Sequence, residues 1–521
     1  MLGKNGVSAL CASRGFPAFP KIFNPKIFKR FKNFRILPYF SEKNFDLFRK
    51  ERPMPHIALP QPLRALGEAF AAHGRRLYAV GGLVRNSLLS LPPSDWDTAT
   101  DAPPEESAAL CRKAGLTVLP KAPRFGTIEV FGTDETGARW SSECTTFRRD
   151  TYGADGSHRP DGVLFSTDLP EDAFRRDLTV NALYADALTG EVIDPTGGLD
   201  DLALRRIRVT SSNPDVILQD DGLRVLRLAR FACELGFSIA PETFEAAKRH
   251  AHGLQDIPAE RIYQELCKIL LSDARYHAPQ PVGEAAPFRG MRLLYELGAL
   301  PFVLPELLEG VGVAQNPVYH AHDVFWHNLF TMACTPPDLV LRFAGLLHDV
   351  GKPRRVRETG KMRGHDLLGE EMAADILRRL KAPGALTENV ALLVRRHMYD
   401  LDGRTREKLL RKHFVRWGPA FTLQYAALRE ADFVGSGYLK PPVETAERAR
   451  ALLAKMQEEH VPFTLRELNV SGKDLMALGL SGREIGDALE GLLLHCAFRP
   501  NDNNRPRLLS LARQLLPKER R

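Results

Sequence analysis

The apolar pattern of this chain changes period near Pro195, and that change bounds what it can fold into. From Met54 to about Asp194 the runs LYAV, DWDTAT, GTIEVFG and RWSSECTTF are short and apolar or alternating, with a helical VRNSLLSL between the first two. Successive side chains of a strand point to opposite faces, so these runs predict a mixed sheet. After Pro195, DGLRVLRLARFACELGF, ERIYQELCKILLS, LVLRFAGLLHDV and GEEMAADILRRLK return apolar residues at the 3.6-residue period, which predicts helices that each bury one face. The expected fold class is α+β. A small mixed head, opened by an amphipathic helix in MPHIALPQPLRALGEAF, precedes a long all-α remainder. APQPVGEAAP (278–287) and YLKPPVE (438–444) interrupt the helical part. At 521 residues the chain is too long for one core, so several domains are expected.

Charge is unevenly placed. Residues 1–53 hold twelve Lys/Arg against three Asp/Glu, so the rest of the chain carries about −1 of the net +8. Nucleic-acid affinity in that remainder must come from local basic patches. The first segment, with FPAFPKIFNPKIFKRFKNFRILPYF, is rich in Phe and Lys and lacks the apolar stretch of a secretory signal. It reads as a basic arm, a transit segment, or upstream sequence translated from a mis-assigned start, with Met54 the true one; the change of composition at Met54 favours the last. The seven cysteines form no CxxC pair, which argues against a zinc ribbon or disulfide framework and suits a reducing, cytoplasmic setting. No apolar run is long enough to span a membrane.

The chemistry begins at GGLVRNSLLSLPPSDWDTAT (81–100). Asp95 and Asp97, two apart in an extended run, point the same way, and two carboxylates side by side repel each other unless a divalent cation binds them. Mg²⁺ takes carboxylate and phosphate oxygens together, as nucleotidyl transfer from a triphosphate requires. Gly81 and Gly82 allow close backbone approach, and the helix that follows aims its N–H groups at an anion. DxD alone fits a solvated loop equally well; the order strand, GG turn, helix, DxD favours the site.

GGLVR…DWDTAT resembles the head motif of the tRNA nucleotidyltransferase and bacterial poly(A) polymerase family, whose head is polymerase-β-like. CTTFRRDTYGADGSHRPDGVLF, RRDLTVNAL (175–183), DPTGGLDDL (194–202) and DDGLRVLRLARFACELGF (220–237) continue the resemblance in order. It implies that Glu143 is a third catalytic acid beside Asp95 and Asp97, and that Gly81, Gly82, Arg85, Arg176, Asp177 and Asn181 serve ribose and phosphate. Asp177 and Asn181, four apart, are expected on one face of a helical turn. Asp221 and Arg224, three apart on an expected helix, would read the incoming base along its Watson–Crick edge, with Arg227 and Arg230 extending a stripe towards triphosphate or tRNA backbone. The chain departs from the family at Asn86, where an acid is usual, and at Asp220, where Glu is usual.

A second constellation lies in LRFAGLLHDVGKP (341–353), where His348 and Asp349 are adjacent. It resembles HD-domain phosphohydrolases, and that resemblance calls on His327 and Asp432, with His365 and His397 as further ligands of a two-metal site. Such ligands accept Mn, Fe, Ni, Zn or Mg and would activate water on a phosphate ester. The end of the chain, with Gly472, Asp474, Leu475, Gly479, Gly482, Ile485 and Gly486, resembles the family's helical tRNA-docking tail.

The expected organisation is a basic extension (1–53), a nucleotidyltransferase head (54–194), a helical neck that reads the nucleobase (195–277), connecting helices (278–318), an HD domain (319–440) and a tail (441–521). The resemblance implies addition of CCA to tRNA from CTP and ATP, dependent on Mg²⁺, with a second divalent metal and a phosphohydrolase activity in the HD domain. Three alternatives stay open: poly(A) polymerase, addition of CC or A alone, and an HD phosphohydrolase with a non-catalytic RNA-binding head. The sequence sets no oligomeric state.

Overall fold

Strand β1 (Leu77–Val80) and strand β2 (Trp96–Thr100) form the middle of a seven-stranded sheet. The computed structural model describes residues 54–92, 95–151, 162–278, 280, 284–437 and 443–515, so the readings made of residues 1–53, of the loop centred on GADGSHRPD and of LKPP lie outside the described residues. β3 (Thr117–Ala122), β4 (Thr127–Thr133), β5 (Arg139–Thr146), β8 (Tyr184–Asp186) and β9 (Val192–Ile193) complete the order β3-β4-β5-β2-β1-β8-β9. Only β2 and β5 run parallel within it; β6 (Arg148–Thr151) and β7 (Gly162–Phe165) pair in a separate hairpin. LYAV, GTIEVFG and RWSSECTTF became strands as expected. β3 gave no clear strand signal because it carries Pro120, which sheets accept at an edge, and the β3–β4 register shifts just there.

Helices α1 (Gln61–Ala71) and α3 (Pro104–Lys113) cover one face of the sheet, where Leu66, Phe70, Leu77, Cys111, Ile128, Val130 and Cys144 form a buried cluster. Alternation then sends Glu129 and Glu143, the sequence neighbours of Ile128 and Cys144, to the opposite face. The short helix α2 (Gly82–Leu88) follows β1 directly.

Beyond the sheet the described residues are helical save for one parallel pair of two-residue strands, Arg206–Ile207 with Ser238–Ile239. α4 (Leu223–Leu235) packs on α5 (Ala259–Leu270) and α6 (Ala286–Glu296). α6 leans in turn on α7 (Val324–Cys334), which packs against α8 (Leu339–Leu347) and α11 (Glu407–Gly435). Asp323 and Asp338 cap α7 and α8 by accepting N–H bonds from Trp326 and Leu341, each at 2.9 Å. α9 (His365–Arg379) and α10 (Gly384–Arg396) pair beside them, and α11 breaks at Gly418–Pro419. α12 (Glu444–Glu458), α13 (Arg483–Cys496) and α14 (Arg505–Leu515) finish the described chain. One apolar core joins all of this, from Ile57 to Ala512. No helix among the described residues is long and apolar enough to cross a membrane.

Candidate active sites

The register of the sheet assembles the head site. Asp97 in β2 pairs with Val80 of β1 on one side and with Glu143 of β5 on the other, and Glu143 pairs with Glu129 of β4. Three carboxylates therefore stand in one row across adjacent strands; Asp95 lies one residue before β2. Lys121 spans the outer two, at 2.5 Å from Glu143 and 3.6 Å from Glu129. Asp97 has no such partner: burial, then the Glu143 charge beside it, push its carboxyl up to about 6, against the pull of Arg176. A site that disfavours its own carboxylate charge fits a divalent cation. Gly81 turns the chain above it with φ +67 and ψ −125, a conformation for glycine, and a Cβ there would lie 3.8 Å from Asp97 Oδ2.

Residues from the RRD segment close in behind. Arg176 holds buried Asp172 at 2.9 Å and donates to the Tyr184 hydroxyl at 2.8 Å. Asp177 accepts from Arg227 Nε at 2.6 Å and, through its other oxygen, from the Leu178 N–H at 2.8 Å. Asp177 and Asn181 do not share a helical turn as expected, because Leu178 between them is extended and only Thr179–Asn181 coils; their side chains meet at 3.5 Å.

Asp221 and Arg224 also differ from expectation. Asp221 is extended and precedes α4, since Gly222 lies so close to Gly253 that a Cβ would reach its backbone at 2.5 Å. Asp221 caps the helix by accepting the Leu223 N–H at 3.0 Å, and its second oxygen takes Arg261 at 2.9 Å. Arg224 donates to the Ile217 carbonyl at 2.7 Å and to that of Arg175 at 3.2 Å. These two side chains are thus held separately, not as an ion pair with each other, and Arg224 is tied to the RRD segment.

Two expected contact residues are turned inward. Arg85 is 2% exposed, bonded to Asn86, Asn181 and Tyr276 and lying over Phe231. Arg230, 4% exposed, pairs with Glu265 at 2.6 Å and Glu234 at 3.3 Å. Arg85 thus ties α2 to the Asn181 turn and to Tyr276, and Arg230 ties α4 to α5. Asn86 suits this burial: its amide accepts from Arg85 while donating to the Pro92 carbonyl at 2.8 Å.

The helical part brings a second cluster together. His327 on α7, His348 at the end of α8, Asp349 and Asp432 on α11 converge: His327 Nε2 lies 3.0 Å from His348 Nε2, 3.1 Å from Asp432 and 3.4 Å from Asp349 Oδ2. The other oxygen of Asp349 lies 3.1 Å from His365 and 3.6 Å from His397, whose Nε2 atoms are 3.0 Å apart. Asp349 therefore bridges two triads, His327–His348–Asp349 and Asp349–His365–His397. Gly351 permits this, since a Cβ there would sit 2.4 Å from the His365 carbonyl.

Tautomers decide what such a cluster can hold. His348, His365 and His397 each direct Nδ1 at a carbonyl three residues back, at 2.9, 2.8 and 2.6 Å. A carbonyl only accepts, so these Nδ1 atoms carry the protons and the Nε2 lone pairs face inward. Asp349 Oδ1 is buried without a hydrogen-bond donor. Burial alone would push the His348 imidazole down, yet Asp349 and Asp432 draw it up to about 10, so its Nε2 takes a proton wherever no metal ion holds that position. The cluster demands positive charge, and its imidazole and carboxylate donors suit divalent transition metals.

Comparisons follow this geometry. Residues 77–208 match the family model described as Poly A polymerase head domain, 236–278 that of a probable RNA and SrmB-binding site of polymerase A, and 325–432 that of the HD domain. An A-adding tRNA nucleotidyltransferase of Deinococcus radiodurans is 33% identical over 79% of this chain and 89% of its own. The chain belongs to the tRNA nucleotidyltransferase and poly(A) polymerase family.

A multifunctional CCA protein of Xanthomonas campestris is 31% identical to this nucleotidyltransferase over 80% of its chain and 96% of the relative's. In fold it is similar to a CCA-adding enzyme of Bacillus stearothermophilus solved with CTP, with TM-score 0.61, 24% identity and coverage of 88% and 98% of the two chains. Membership with an HD domain implies divalent-metal dependence, and the two acidic and imidazole clusters supply suitable donors. Several residues of this nucleotidyltransferase gave no sequence signal. Lys121 neutralises Glu143 across strands, Arg261 holds Asp221, and Lys352 reaches Asp349 at 2.5 Å. His320 packs its ring 4.6 Å from that of His327.

Proposed function

We propose that this chain adds CCA to the 3′ end of tRNA from CTP and ATP without a nucleic-acid template. The observation that carries the reading is the placement of Asp97 beside Glu143 under the Gly81 turn, with Arg224 tied to the RRD segment behind it. Mg²⁺ held by Asp95, Asp97 and Glu143 would offset the triphosphate charge and ease loss of the proton from the attacking hydroxyl. The residues themselves do the positioning. Asp177, Asn181 and Arg176 fix the loop against ribose and phosphate. Asp221 keeps lone pairs for an exocyclic amine, and the three Arg224 N–H groups left over from its two carbonyl bonds donate to ring acceptors. Catalysis is then mostly orientation and charge neutralisation. Arg85 and Arg230 support the site from behind.

The same reading gives the segments their work: transfer in 54–194, base reading in 195–277, phosphate-ester hydrolysis by Mn, Ni, Fe or Zn at His327, His348, Asp349, His365, His397 and Asp432 in 319–440, with 278–318 as connection and 441–521 as RNA-docking tail. A second reading, addition of A alone, is favoured by the A-adding relative matched over most of the chain.

One experiment separates them. Purified protein receives tRNA transcripts ending at the discriminator base, at C and at CC, with labelled CTP and ATP separately and together. Stepwise growth that halts after CCA supports the proposal. Extension of the CC transcript alone supports the second reading, and unlimited A tails on any RNA would refute both.

A further inference from the structure

Lys121 enters the head from an irregular point of the edge strand. Between β3 and β4, Leu119 pairs with Glu129, Pro120 with Ile128 and then Ala122 with Thr127, so Lys121 is one residue more than β4 can match. Pro120 has no N–H to give the ladder, and the unmatched residue beside it forms a bulge, which re-aims its side chain. Residues paired directly across strands share a face, so Glu129, Glu143 and Asp97 lie in one row, and the bulge swings Lys121 over it.

A lysine that only braced the edge would pair with the adjoining strand. Lys121 instead reaches past β4: its Nζ lies 3.6 Å from Glu129 Oε1 on β4 but donates at 2.5 Å to Glu143 Oε1 on β5. Its charge is felt one strand farther still. Burial first and the Glu143 charge next raise the Asp97 carboxyl, and Lys121 is among the cations that draw it back. The pair is also open to water, with the Lys121, Glu143 and Glu129 side chains 42%, 45% and 29% exposed. An ion pair in that setting holds weakly and exchanges readily. An ammonium and a divalent cation cannot share one carboxylate oxygen at such a distance, so whichever holds Glu143 excludes the other.

We propose that Lys121 is a tethered cation that holds Glu143 while the head is without metal and passes to Glu129 when a divalent ion takes Glu143. In the metal-free head Lys121 eases the repulsion between Glu143 and Asp97. Its displacement then sets how tightly the head keeps its metal. Glu129, one strand outside the acids assigned to the metal, is the place to which the ammonium retires. Both are positioning residues that act through Glu143. The inference rests on the reading that Asp95, Asp97 and Glu143 hold Mg²⁺.

The test is Mn²⁺ binding to the full-length protein, without nucleotide or RNA, followed by electron paramagnetic resonance. The part of the isotherm lost in Asp97→Asn is the share of the head; the remainder belongs to the HD cluster and should be the same in every variant, which also reports that each one folds. Lys121→Met keeps the stem, loses the charge and should raise the Mn²⁺ affinity of the head about fivefold. Lys121→Arg should bind no more tightly than wild type. Glu129→Gln should lower the affinity about threefold where Lys121 is present and leave it unchanged in the Lys121→Met background. The proposal fails if Lys121→Met binds Mn²⁺ no more tightly than wild type, or if Lys121→Arg matches it. An equal loss from Glu129→Gln in both backgrounds would reduce Glu129 to a distant charge and overturn its part. A wild-type isotherm that Asp97→Asn leaves unaltered would overturn the Mg²⁺ reading and this inference with it, an outcome distinct from the other three.

Discussion

His365 and His397 face each other Nε2 to Nε2 at 3.0 Å, while the Nδ1 of each is held by a backbone carbonyl. Two bare lone pairs at that distance repel unless a cation lies between them or beside them. Asp349, with one oxygen towards this pair and the other towards His327 and His348, links the two positions. Metal analysis of protein purified in Mn²⁺ or Ni²⁺ should therefore find two ions per chain in this centre. Asp349→Ala should lose both, and His397→Ala should lose one. Retention of two ions by Asp349→Ala would contradict the bridging geometry.

The second prediction concerns Asp97, whose carboxyl is raised to about 6 by burial and by Glu143. Its unfolded value is the ordinary one for aspartate, about 3.9. Between those values the folded protein holds a proton that the unfolded chain has released, so stability falls as pH rises through this window. Above pH 6 the full penalty, up to about 3 kcal/mol, is present. Asp97→Asn should consequently melt higher than wild type at pH 7.5 in EDTA, lose that advantage near pH 4, and show no transfer. Equal melting at both pH values would show that Asp97 carries no such strain.

The parts legible in the sequence were those where a local rule and a packing rule agree. β1, β4 and β5 have alternating or apolar runs, and the burial of Ile128 and Cys144 against α1 and α3 is what turns Glu143 towards Asp97. The six HD residues were legible because His348 and Asp349 are adjacent and a mixed imidazole and carboxylate set in order along helices has few other uses. What the sequence did not carry is direction. Arg85 and Arg230 are charged and sit on the motifs, yet they point into the core, because Asn181, Tyr276 and Glu265 arrive from elements distant in the chain. Lys121 and Arg261 escaped for the same reason: their roles exist only across strands and helices that the sequence does not pair.

Gly81 gives a third prediction. Its backbone lies where an L-residue is strained by about 1–3 kcal/mol, and relief of that strain would move the turn that stands against Asp97 Oδ2. Gly81→Ala should lower the melting temperature and reduce nucleotidyl transfer sharply, while leaving the metal content of the HD cluster unchanged. Gly82, which begins α2 in ordinary helical conformation, should tolerate alanine with a far smaller loss of activity. If both variants behaved alike, backbone conformation at Gly81 would have no special part in the site.

The last prediction separates Asp221, proposed to read the base, from Arg261, which holds it. Asp221 uses one oxygen to cap α4 and the other to receive Arg261, which comes from α5 and is distant in sequence. Removing Arg261 leaves the cap in place but frees the carboxylate to swing about it, so the oxygen offered to an exocyclic amine is no longer fixed. Each well-formed base contact discriminates by about 1–3 kcal/mol, or roughly 5- to 150-fold. Arg261→Ala should thus bring the kcat/KM values for CTP and ATP closer to those for UTP and GTP by a factor in that range, with KM for tRNA unaltered. Arg261→Lys should recover part of it, since an ammonium restores the charge but not the directed guanidinium bond. Asp221→Ala should erase the same discrimination and, having lost the cap as well, should also be less stable by about 1 kcal/mol. A uniform fall in kcat/KM for all four nucleotides in Arg261→Ala would mean that the pair only braces α4 against α5 and has no part in choosing the base.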